Sequence, residues 1–158
     1  MRYFVQTVRF SPSFEKLGYQ HLENNQYVYT DGSLWETKKL LDLGWGPENG
    51  LIRVPLPNYE KLLFLVFQPV KESRTISDEQ YNMWGALCIL LEKYPMDFLN
   101  HIENNINNSD FAKRFLPIYE LSDRILCWDV TKIHLLSQDE QKIAQKWFQI
   151  KKHLQIIK

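Results

Sequence analysis

The sequence predicts an α+β fold: a mostly antiparallel or mixed sheet of about five strands with about four helices packed against it, in one globular domain spanning residues 1–158. Three observations predict it. First, a serine is followed three residues later by Glu or Gln at Ser33–Glu36, Ser77–Gln80 and Ser137–Glu140, each ahead of an apolar, helix-like run. Each fits a capping box, where the serine oxygen accepts from an otherwise unpaired N–H and the Glu or Gln reaches back to the cap. Second, short runs of β-favouring residues lie between the boxes, bounded by Gly, Pro and Asp-Gly turn signals. Third, the resulting order is β-β-α-β-β-α-α-β-α, whose hairpin-like early neighbours favour antiparallel pairing.

Taken in order, Arg2–Phe10 alternates well enough for a strand and is broken by Ser11-Pro12-Ser13. Gln26–Thr30 is a second strand, closed by the Asp31-Gly32 turn. The first capping box predicts a helix over about Leu34–Leu43 that ends at Gly44, followed by a loop over Gly44–Gly50. Leu51–Val54 predicts a strand stopped by Pro55-Leu56-Pro57. The continuous apolar run Leu62–Phe67 predicts a central strand covered on both faces. The second box opens the longest helix, about Asp78–Tyr94, with Tyr81, Trp84, Cys88 and Leu91 at helical spacing. Pro95 stops it, and the next helix carries Phe98, Leu99, Ile102 and Ile106 on one face. A turn over Asn104–Ser109 leads to a short helical piece at Asp110–Phe115 ending at Pro117. Ile125–Val130 predicts the last strand, and the third box opens a terminal helix with Ile143, Trp147, Ile150 and Leu154 in line.

A chain of this length buries roughly 70% of its unfolded surface, so it needs neither disulfide nor metal to be stable. Nineteen basic side chains cancel nineteen acidic ones, which argues against a dedicated nucleic-acid binder. The two cysteines, Cys88 and Cys127, lie singly in apolar runs and read as small buried hydrophobes rather than a secreted disulfide framework. No signal peptide is visible and the longest apolar stretches are too short to span a bilayer, so a cytoplasmic protein without membrane contact is expected. Five Trp, eight Tyr and nine Phe exceed what a minimal core needs, and some of them are candidates for surface anchors.

The sequence carries no P-loop, dinucleotide fingerprint, hydrolase elbow, HExxH or CxxC, and no cofactor or metal is implied. Gly44-Trp45-Gly46 follows a predicted helix end, so it is a cap and turn rather than a phosphate cradle. The charges are unevenly placed. Between Glu92 and Asp123 stand the acids Glu92, Asp97, Glu103, Asp110, Glu120 and Asp123 against Lys93, Lys113 and Arg114, whereas Lys142–Lys158 holds five lysines and no acid. A negative face of this kind steers a basic partner and sets register, while aromatics supply burial. Asp97, Glu103, Asp110, Glu120 and Asp123, with Trp45, are therefore the candidate partner-binding residues.

The texture of Asn104–Asn108 and of Gln149-Ile150-Lys151-Lys152, with acids suited to a basic nuclease, resembles that of the small bacterial immunity proteins made against polymorphic toxins, including those of contact-dependent inhibition. That resemblance implies a cytosolic, non-catalytic protein in a one-to-one complex with one protein partner, a basic toxin domain whose active site it masks. Two alternatives carry different expectations. An enzyme would assemble a site from Asp97, His101, Cys127, Asp129 and His134 under a lid at Trp45, in a concave pocket. A structural subunit of a bacterial assembly would instead expose an apolar patch.

Overall fold

The computed structural model describes residues 1–6, 13–42, 47–70, 77–126 and 134–157. Ten elements follow in chain order: β1 (Phe4–Gln6), β2 (Tyr19–His21), β3 (Gln26–Tyr29), β4 (Leu34–Asp42), β5 (Pro47–Val54), α1 (Tyr59–Phe67), α2 (Asp78–Lys93), α3 (Pro95–Asn105), α4 (Ser109–Ile125) and α5 (Gln138–Ile157). The fold class is α+β, as expected, with one five-stranded antiparallel sheet and five helices among the described residues. The chain divides into two compact units, Met1–Ile89 and Leu90–Lys158.

In the first unit the strand order is β1-β5-β4-β3-β2, so β2 to β5 form a meander and β1 pairs on the outside of β5. Pairing puts Val5 opposite Leu51 and Trp35 opposite both Tyr27 and Arg53. Val5, Tyr19, Trp35 and Leu51 are buried in one cluster, with Phe14, Leu17, Tyr27 and Tyr29 packed around it. Tyr19 stacks on Tyr29 at 4.4 Å between centroids and meets Trp35 edge-on at 5.1 Å. Burial pushes the Tyr19 hydroxyl's pKa up despite the opposing charge of Arg2.

Residues of the opposite pleat include Phe4, which is buried against Gly85 of α2. A methyl group at position 85 would lie 2.1 Å from the Phe4 ring, so only glycine permits this approach. Asn82, one turn before, donates to the Met1 carbonyl at 2.8 Å and accepts from the Tyr3 N–H at 2.7 Å. Its carboxamide thus pairs backbone groups of the chain entering β1, the role another strand would play. Arg2 adds an ion pair to Asp78 at 2.7 Å.

Several elements differ from the sequence expectation. The first capping box opens a strand, β4, rather than a helix. Ser33 is not a helix cap: its hydroxyl donates to Asp31 Oδ1, its N–H donates to the same carboxylate at 2.9 Å, and its Oγ accepts from Trp35 Nε1 at 2.8 Å. The β3–β4 turn uses Gly32 at φ +86, and Trp35 is needed in the core, so tertiary packing overrides the local pattern. Pro47–Gly50, expected in a loop, begins β5. The predicted central strand Leu62–Phe67 is most of helix α1. Asn58 caps it, accepting from Lys61 N–H at 2.9 Å, and Leu62, Leu65 and Val66 are buried at helical spacing. Phe64 is 59% exposed, which a strand covered on both faces would not allow.

In the second unit Pro95 occupies the first turn of α3, where its missing N–H costs nothing, and Phe98, Leu99, Ile102 and Ile106 are all buried as expected. α4 runs straight through Pro117 instead of ending there. Asn108 starts it by accepting from the N–H groups of Asp110 and Phe111, and Phe111, Phe115, Ile118 and Ser122 continue the buried stripe past the proline. The second and third boxes do start helices, with Ser77 accepting from Gln80 N–H at 3.2 Å and Ser137 from Glu140 N–H at 3.2 Å. The helix opened by the third box, α5, is the longest described. Of the expected last strand, Ile125 closes α4, Leu126 is its C-cap, and 127–130 lie outside the described residues, as do 7–12 and 43–46.

Candidate protein-binding surface

Helix α5 decides which acids of the second unit remain free. Lys146 reaches back to Glu103 of α3, Nζ to Oε1 2.7 Å. One residue on, Trp147 donates its indole N–H to Asp123 Oδ1 of α4 at 3.0 Å, and Lys151 donates to the same oxygen at 2.8 Å. Trp147 and Lys151 are four apart, so they share a helix face and converge on one carboxylate. The Trp147 ring is fully buried and tilts against Tyr119 at 5.8 Å, which makes Asp123 the partner its buried N–H requires. Partial burial works against the Asp123 charge, but the bonds from Lys151 and Trp147 and the ammonium's field outweigh it, holding the carboxyl below its usual range.

Of the candidate acids, Glu103 and Asp123 are therefore tied into the unit's own structure. Asp97, Asp110 and Glu120 are exposed and make no ion pair among the described residues. Asp97 and Asp110 lie in the first turns of α3 and α4, where a negative charge complements the helix dipole. On α4 the exposed Leu116, at 47%, stands three residues after Lys113 and four before Glu120, both exposed. Arg114 and Pro117 are exposed on the same helix. Trp45, the remaining candidate, lies outside the described residues, as do Cys127 and Asp129 of the enzymatic set.

Asp97 and His101 are one turn apart on α3. His101 is half-buried, and its ring meets Phe111 edge-on at 5.6 Å. His134 is exposed near the start of the α5 segment. Among the described residues no group of three or more His, Cys, Asp and Glu side chains is placed to hold a metal ion. Cys88 is buried, as its apolar neighbours imply.

Two features escaped the sequence. A depression of about 260 Å³ is lined by Glu103, Ile106 and Asn107 on one side and Gln149, Ile150 and His153 of α5 on the other. The His153 ring nitrogen Nε2 lies 2.8 Å from Asn107 Oδ1 across its margin. In the first unit, Val28, Leu34 and Val54 face one another across three adjacent strands, with Leu34 51% and Val54 39% exposed. An i,i+4 reading of α5 alone cannot locate partners 28 and 43 residues away. The strand-paired row becomes visible only once Leu34 is known to be in a strand.

No family model, curated protein or solved structure matches the chain. No helix among the described residues is long and apolar enough to cross a membrane.

Proposed function

We propose that the chain is a non-catalytic protein-binding protein that docks one partner through the α3–α4 surface of its second unit. The observation that carries this is an exposed leucine, Leu116, flanked on α4 by charges that make no ion pair among the described residues: Lys113, Arg114 and Glu120, with Asp110 one to two turns earlier. An apolar contact ringed by polar groups is the ordinary anatomy of an interface, where burial supplies affinity and charges supply register and on-rate. Asp97, Asp110 and Glu120 favour a basic partner. The finer reading is an immunity-type protein that masks the active site of a basic bacterial toxin, in the cytoplasm.

The test is stoichiometric capture by a tagged chain and by two variants, L116D and the triple D97K/D110K/E120K. Recovery of one basic protein by the wild type, lost with L116D and slowed at low salt with the triple variant, supports the reading. Capture unchanged by either variant, or turnover of a co-purified metabolite, refutes it. A second reading, a subunit of a larger assembly, is favoured by the Val28–Leu34–Val54 row, whose Leu34 and Val54 are exposed. It predicts self-association in light scattering that L34K abolishes.

A further inference from the structure

The face of α4 that points away from its core has a charge order of its own. Phe111, Phe115, Ile118 and Ser122 are buried. At about 100° per residue, the positions opposite that stripe are Ser109, Lys113, Leu116, Pro117 and Glu120. All five are exposed, Leu116 by 47%. Leu116 and Pro117 form an apolar centre. Lys113 stands three residues before Leu116, and Glu120 three residues after Pro117. Neither charge makes an ion pair among the described residues. Asp110 and Arg114 lie together on one flank, a turn apart, where opposite charges neighbour each other.

This face is complementary to itself. Turned end over end and laid against an identical face, it meets the opposite sign at both ends. A two-fold axis midway between Leu116 and Pro117, normal to the helix, sets Lys113 of one copy level with Glu120 of the second, about 5 Å along the helix from the axis. Symmetry repeats the contact, so one interface holds two Lys–Glu pairs around two leucines and two prolines. A parallel pairing would instead set Lys113 against Lys113 and Glu120 against Glu120, which like-charge repulsion opposes. Pro117 is costly inside a helix, and at the centre of this contact it offers rigid apolar surface to Leu116 of the other copy. We infer that α4 packs antiparallel against α4 of a second copy of this chain, forming a weak two-fold dimer. One helix on one helix falls at or below the low end of stable interfaces, about 1,200 Å², so the dimer dissociates on dilution. The face is the one proposed for the partner, which must therefore displace the second copy.

The experiment is sedimentation velocity of the purified chain from about 10 μM to about 1 mM, a range that brackets a dissociation constant on the order of 100 μM. The wild type should pass from monomer to dimer across it. K113E and E120K each place like charges opposite one another twice, and should each weaken the dimer about tenfold at low salt. The double variant K113E/E120K exchanges the two signs and should regain the wild-type constant. An equimolar mixture of K113E and E120K should form a heterodimer that neither forms alone, and L116D should remain monomeric. L34K should dimerise as the wild type does. The variants change exposed side chains only, and a circular-dichroism spectrum of each checks its fold. The inference is overturned by a wild type monomeric at about 1 mM, by a dimer that survives L116D or is lost in L34K, or by a double variant no better than the single ones. Because no partner is present, failure of the dimer leaves partner docking standing, and failure of docking leaves the dimer standing.

Discussion

Replacing Gly85 by Ala tests whether the close approach of α2 to β1 is as tight as the structure requires. The added methyl carbon would lie 2.1, 2.4 and 2.5 Å from three atoms of Phe4. Ordinary contact begins at 3.4 Å, so the ring must retreat by more than an ångström. It has little room to do so: Phe4 is 1% exposed, and its backbone is held opposite Ile52. Overpacking of this kind costs about 1–3 kcal/mol, and sometimes more. Against it stands the higher helix propensity of alanine, about 1 kcal/mol. A contact this short puts the cost at the upper end of that range, and the resulting net loss of about 2 kcal/mol lowers Tm by roughly 4–8 °C for a chain of this size. Thermal and urea unfolding of G85A, F4L and the double variant would measure it. The clash lies between these two residues, so F4L/G85A should recover at least about 1 kcal/mol relative to additivity. A G85A protein as stable as wild type, or strictly additive effects, would refute the packing proposed for α2 on β1.

Three further outcomes follow from contacts already described. Asn82→Leu removes the acceptor for Tyr3 N–H and the donor to Met1, leaving both backbone groups unpaired, and should cost about 2–3 kcal/mol in urea unfolding, with faster amide exchange at Tyr3. The Asp123 carboxyl has a folded pKa below its unfolded value of about 3.9, so its contribution is complete above that value and disappears as pH falls through the folded one. Stability measured from pH 6 to pH 2 should therefore show an acid limb that is shallower in D123N than in wild type. Pro117 stands exposed within α4, where it supplies no N–H to the preceding turn; P117A should raise stability by about 1–3 kcal/mol, read as a higher Tm.

The sequence made legible whatever is decided within one or two helical turns. Ser77 and Ser137 start helices because the residues after them bury one face, and the Phe98–Leu99–Ile102–Ile106 stripe is a core face for the same reason. Ser33 has the same local signature, yet its hydroxyl is drawn into the Asp31 turn and its neighbour Trp35 into a cluster with Tyr19, 16 residues earlier in the chain. No window of four residues carries that information. The run Leu62–Phe67 is short enough to satisfy a buried strand or a helix equally, and the arbiter is Asn58, whose cap lies outside the run. Pro117 failed as a stop signal because a strong cap at Asn108 and a stripe extending to Ser122 favour one continuous helix over two short ones. As for the site, the acidic stretch was visible, but which of its members are free depends on lysines across the unit's fold.

Those lysines change what a charge-reversal experiment can mean. The Glu103–Lys146 and Asp123–Lys151 pairs are partly exposed, with the acid side chains 42% and 40% accessible, and pairs of that kind contribute only about 0–1 kcal/mol each. Their larger consequence is subtraction. They withdraw two of the five candidate carboxylates from any partner, and Asp123 also supplies the acceptor for the buried Trp147 indole. Reversing Asp123 would place an ammonium beside Lys151 and strand that indole N–H, so loss of binding would report on folding as much as on recognition. Reversing Asp97, Asp110 and Glu120 disturbs no bond to another described side chain, and only the two first-turn positions also lose a favourable dipole term, about 0.3–1 kcal/mol each. An association rate that falls with these three, while Tm moves by only a few degrees, is attributable to the partner's field. If the rate instead responds only when Glu103 or Asp123 is changed, the acids act through the packing of α3, α4 and α5, and the proposed α3–α4 docking surface loses its electrostatic basis.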